Sequence, residues 1–91
     1  NLQDARNWIN SLQTSGGTNP VPAVQEALDM EPEEIWILSD GNFSESAVDA
    51  IRVANQKVKA SIHTIGINAD APTLKRIAEE NQGMFRYVQL P

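Results

Sequence analysis

Two short apolar runs constrain this chain most. "IWIL", Ile35 to Leu38, and "SIHTIGI", Ser61 to Ile67, are each of strand length and rich in β-branched residues. Between them Ala47, Ile51, Ala54 and Val58 recur at helical spacing, behind Ser44 as an N-cap and Phe43 placed to staple onto Val48. A third run, "MFRYVQL", follows a further helical segment built on Leu74, Ile77 and Ala78, with Asp70 as its cap and Gly83 just past its end. Parallel neighbours need long crossovers, and these segments have that length, so the pattern predicts a parallel sheet.

Two more helices are predicted ahead of the first run. Leu2, Ala5, Ile9 and Leu12, with Trp8 beside them, give an amphipathic stripe ended by Gly16 and Gly17. Asn19 is an N-cap before Pro20, and Val24, Ala27 and Leu28 face inward until "EPEE" stops the helix. The expectation is a single α/β domain over residues 1–91, with about three parallel strands and four helices.

If the strands lie in sequential order, right-handed crossovers put the helices on one face of the sheet. The strands, however, are apolar throughout, as if covered on both faces. The outer edge of "IWIL" would also be bare, which folded proteins normally avoid. This chain is therefore expected to be half of a larger α/β domain, or to pair with a second copy of itself.

Composition narrows the function. There is no cysteine, which excludes disulfides and thiolate metal sites. Net charge is −5, and the seven basic residues are scattered, with Lys57 and Lys59 the densest pair. Such a surface repels phosphate backbones, so no nucleic-acid partner is expected. No apolar run approaches the roughly 18 residues of a membrane span.

The loops carry the chemistry. Ligands of open parallel sheets bind beyond the carboxyl ends of the strands. Asp40 lies there, directly after "ILS", and Thr18 of "SGGTNP" reaches the same rim from the next loop. A hydroxyl and a carboxylate are hard oxygen ligands suited to Mg²⁺, Mn²⁺ or Ca²⁺. Gly16 and Gly17 let the backbone turn tightly near an ion. A plainer account competes: "SGGTNP" as a helix stop followed by a cap, and Asp40-Gly41 as a turn.

The segments "GGTNP", "IWILSDG" and "IHTIGI", in this order and at these separations, resemble the C-terminal half of a von Willebrand factor type A domain, most of all its bacterial members. The resemblance covers nearly the whole chain. It implies a three-layer, Rossmann-like fold, here a partial version, that binds protein partners through a metal-ion-dependent adhesion site. On it, Thr18 and Asp40 match two of the family's metal ligands, while Ser15, Gly16, Gly17, Gly41, Asn42 and Phe43 would line the binding rim. The family's Asp-x-Ser-x-Ser loop is absent from these residues. Two protein ligands hold a hard cation poorly, so Mg²⁺ binding by this chain alone is expected to be weak or absent.

Other chemistry finds less support. His63, alone within an apolar strand, reads as a packed, hydrogen-bonded residue rather than a base or ligand. Ser15 and Ser39 have no histidine placed to activate them, and no Walker or Gly-x-Gly-x-x-Gly loop is present. Three readings stand: a non-enzymatic protein-binding module, a structural portion that forms a homodimer through its open sheet, and a nucleotide or phosphoryl-transfer enzyme that lacks an evident base or nucleophile.

Overall fold

The computed structural model describes residues 6–11 (backbone only), 19–40, 43–68 and 71–91. Strands and helices alternate: β1 Arg6–Ser11, α1 Val21–Asp29, β2 Glu34–Ser39, α2 Glu45–Ala54, β3 Ser61–Ile67, α3 Pro72–Glu80 and β4 Phe85–Val88. The four strands form one sheet in the order β1-β2-β3-β4, and every neighbouring pair is parallel. The α/β class and the parallel sheet follow the sequence pattern. The helix expected over residues 2–12 does not form within Arg6–Ser11, so the described residues hold four strands and three helices.

The reason is the edge noted above. A bare β2 would present a row of unpaired N–H and C=O groups. Arg6–Ser11 pairs with all of it, from Arg6↔Glu34 to Ser11↔Ser39. A lone helix of about a dozen residues is marginal, and Asn7 and Asn10 are poor helix formers. Pairing overrides the helical stripe, and Trp8 comes into register with Trp36. Gly16 and Gly17, expected to end that helix, lie outside the described residues.

Packing is one-sided. In β2, Ile35, Ile37 and Ser39 are fully buried, while Glu34, Trp36 and Leu38 are half-buried. In β3, Ile62 and Thr64 alternate in the same way with His63, Ile65 and Ile67. The buried set joins Val24, Ala27 and Leu28 of α1, Ala47, Val48 and Ile51 of α2, and Leu74 and Ile77 of α3 in one core. Fully burying one such aliphatic side chain stabilises by about 1.5–3 kcal/mol. The helices pack side by side, α1 on α2 and α2 on α3. Across the α2–α3 seam Arg76 meets Glu45 and Asp49, and Arg52 meets Glu80; within the helices Arg76 also meets Glu80 and Arg52 meets Asp49. These pairs are largely exposed and orient the helices more than they stabilise them.

Capping mostly follows the sequence. Ser44 Oγ accepts from the Ala47 N–H at 3.1 Å as the cap of α2, whereas α1 has Pro20 rather than Asn19 at its N-cap, with Asn19 Oδ1 just outside accepting from the Val21 N–H at 3.1 Å. Asp70, expected to cap α3, lies outside the described residues. At the far end of α3 the Gly83 N–H donates to the Ala78 carbonyl at 2.8 Å, a Schellman closure. The left-handed residue of that closure is Gln82, with φ 60°. Gly83 is required for another reason: a Cβ there would lie 1.9 Å from the Ile62 carbonyl oxygen.

A buried amide pair, not anticipated from the sequence, ties the amino ends of the strands. Asn55 Nδ2 donates to the Ala60 carbonyl at 2.8 Å and to Asn81 Oδ1 at 3.0 Å. Asn55 Oδ1 accepts from the Ala60 N–H at 2.8 Å, and Asn81 Nδ2 donates to the Ile77 carbonyl at 2.7 Å. The Asn81 carbonyl in turn accepts from the Ile62 N–H at 3.1 Å. One side chain thus closes the α2–β3 turn and joins it to the end of α3.

Two outcomes are expected. Asn55→Ala orphans buried partners in one step and should destabilise by about 2–4 kcal/mol, read as a lower urea midpoint at unchanged slope. At the adjacent positions 82 and 83 the signs should oppose. Gln82→Gly should stabilise by about 0.5–1 kcal/mol by relieving a left-handed residue, whereas Gly83→Ala should destabilise by about 2 kcal/mol or more by forcing β4 off β3.

Candidate functional site

The carboxyl ends of the strands form one rim. Ser11, Ser39, Gly66 and Tyr87 stand in register across the sheet. The chain leaves β1 at Ser11 toward the "SGGTN" loop, and leaves β2 at Ser39 directly into Asp40. Because β1 and β2 are adjacent and parallel, both loops depart from neighbouring points on the same rim. Each then leads into a helix, α1 or α2, whose N-terminal end faces the rim and carries the positive end of its dipole.

Asp40 is exposed at this rim. Among the described residues no group of three or more His, Cys, Asp or Glu side chains converges as a metal cluster. The donor set visible here is one accessible carboxylate, with the Ser39 side chain fully buried beneath it. Hard divalent cations take six or more oxygens, so these residues do not complete a shell for Mg²⁺ or Ca²⁺. Thr18, Ser15, Gly16, Gly17, Gly41 and Asn42 lie outside the described residues.

Phe43 differs from its expected role on the rim. It is only 5% exposed and belongs to the core. Its backbone N–H donates to Thr73 Oγ1 at 3.0 Å within the buried interior. The aromatic ring is therefore an anchor for the loop after Asp40 rather than a contact for a partner. Thr73, in the first turn of α3, was not singled out by the sequence, although a threonine just after a helix-starting proline is a common place for such a side-chain acceptor. The pair ties the chain at Phe43, just ahead of α2, to the first turn of α3.

His63 is packed as expected, with its side chain 12% exposed. Its Nδ1 accepts from the Met84 N–H at 3.1 Å. The ring stacks on Trp36 with centroids 4.3 Å apart, and Nε2 lies 3.8 Å from Glu34 Oε2. Trp36 lies half-buried on the sheet face away from the helices. Glu34 is half-buried beside His63. None of these groups belongs to the rim, which lies at the other end of the strands.

No helix among the described residues is long and apolar enough to cross a membrane. Residues 1–87 match the family model of the von Willebrand factor type A domain. Over 81 residues the chain is 27% identical to the human von Willebrand factor A domain-containing protein 3B. That alignment covers 88% of this chain and 6% of the human protein, so the chain spans a small part of that relative's length.

Proposed function

Since the chain belongs to the von Willebrand factor type A family, whose domains generally mediate protein interaction, we propose that it is a non-enzymatic binding module whose partner is a protein met at the carboxyl rim. The observation that carries this reading is the register of β1 and β2. It sets Ser11, after which the chain runs on toward Thr18 in sequence, beside Ser39, which Asp40 follows. In this reading Thr18 and Asp40 are two oxygen ligands of a partial adhesion-type metal site in the C-terminal portion of the domain. The remaining ligands come from residues outside this chain, from water, and from an acidic side chain of the partner. Mg²⁺ or a similar divalent cation supplies the charge that draws that carboxylate in.

A second reading rests on a different observation. Trp36, Leu38, Ile65 and Ile67 form a half-buried, largely apolar face with no described helix over it. A chain that covers this face with its own copy would be a structural unit without independent metal binding. Light scattering over a concentration series separates the two, because such a dimer would form equally with and without Mg²⁺.

Paramagnetic broadening by Mn²⁺ tests the first reading directly. Amides from Ser39 to Phe43 should broaden, while those of Asn55 and Asn81 at the opposite end should not, and Asp40→Ala should abolish the effect. By calorimetry the affinity of the isolated chain should be weaker than about 1 mM. Broadening confined to other carboxylates, or unchanged in Asp40→Ala, would remove Asp40 from the site.

A further inference from the structure

β4 is the least secured strand of the sheet. It has four residues, pairs on one side only with β3, and leaves Tyr87 and Val88 exposed along with Met84 and Leu90 nearby. Its entry is held by two bonds at Met84. The Met84 carbonyl accepts from the Thr64 N–H at 3.0 Å. The Met84 N–H donates to His63 Nδ1 at 3.1 Å. Every other bond that β4 makes to β3 is a backbone bond that no change of pH from 8 to 5 alters. The one at His63 Nδ1 uses a lone pair that a proton can occupy.

The tautomer follows from that bond. With Nδ1 accepting, the neutral ring carries its proton on Nε2. Nε2 is buried, makes no hydrogen bond, and lies 3.8 Å from Glu34 Oε2. Among the described side chains the near charged group on this face is Glu34 of β2. Arg86 of β4 stands in register with Ile65, two residues beyond His63. Trp36 stacks on the ring and carries no charge.

We propose that His63 is a proton-sensitive latch on the entry to β4. A second proton has only Nδ1 to occupy. There it replaces an acceptor with a donor, so that two N–H groups oppose each other across the former Met84 bond. The same proton gives the ring a positive charge beside the Glu34 carboxylate, drawing it toward β2. Protonation thus exchanges a bond to β4 for an ion pair to β2 and loosens the start of the edge strand. The effect is local, at the amino end of the sheet, and is independent of metal or partner binding at the rim.

The test is amide hydrogen exchange of the 91-residue chain between pH 8 and pH 5. It is read as protection factors, which correct for the intrinsic rate, alongside the His63 ring resonances. Met84 protection should fall about five- to tenfold with the same midpoint as the ring, the effect of losing one hydrogen bond. Protection at Ile37, in the β2 core, should not change. His63→Asn places an amide oxygen where Nδ1 stands and has nothing to titrate, so its Met84 protection should stay flat. The latch is overturned if Met84 protection holds constant while the ring titrates, or if His63→Asn shows the wild-type profile. Should that variant fail to fold, the co-titration of ring and amide in the wild-type chain decides alone.

Discussion

The ladder between β2 and β3 is the interaction on which the other elements depend. Six in-register pairs, Glu34↔Ser61 to Ser39↔Gly66, join two parallel strands. A parallel pair cannot be closed by a tight turn, so α2 must cross over between them. One face of the ladder, made by Ile35, Ile37, Ile62 and Thr64, is fully buried and gives all three helices their shared floor. Even its polar member is accommodated, since Thr64 Oγ1 donates to the Leu74 carbonyl at 2.8 Å. β1 and β4 then add to the two edges that the ladder leaves open.

The two ends of this ladder are built differently. At the amino end, Asn55 and Asn81 tie the turn before β3 to the end of α3 in a buried amide network. At the carboxyl end Asp40 is exposed, and the buried bond from the Phe43 N–H to Thr73 Oγ1 ties the chain just ahead of α2 to α3. A parallel α/β layer separates stability from function in this way, with a buried polar network at one end and the exposed Asp40 at the other. Asp40 is exposed for the same topological reason that Asn55 is buried.

Much of this was legible in the chain, and the misses have physical causes. "IWIL" and "SIHTIGI" are apolar, β-branched and bounded by turn residues, so their strands and the parallel class were readable directly. Ser44 was readable because a cap is local chemistry. Arg6–Ser11 misled because Leu2, Ala5, Ile9 and Leu12 have a helical period, while the deciding factor, the free edge of β2, lies far away in sequence. Asn55 and Asn81 were unreadable because each looks like an ordinary helix-end asparagine, and their pairing exists only in three dimensions. Phe43 could be read as core or rim from sequence, and its burial settles its place. Of the candidate site, Asp40 at a strand end was legible from position alone, because a parallel strand delivers the residue after it to the carboxyl rim.

The proposed function joins two kinds of incompleteness. The face bearing Trp36, Leu38, His63, Ile65 and Ile67 is more apolar than an exposed face needs to be. At the rim, in turn, Asp40 is exposed, and among the described residues no group of three or more acidic or histidine side chains converges there, where a divalent cation needs several oxygens. Both shortfalls lie on the same side of the fold's organisation: the described helices all pack on one face, and no described element supplies the opposite layer or further rim loops. In a parallel α/β sheet a crossover that covers a face also delivers a loop to the carboxyl rim. Whatever segment buries Trp36 by such a crossover would therefore add donors beside Asp40 in the same step. A second copy docked face to face would bury Trp36 without delivering any. Metal affinity and coverage of the open face should thus rise together in the first case and separate in the second, which makes the state of Trp36 a reporter on which of the two completes the domain.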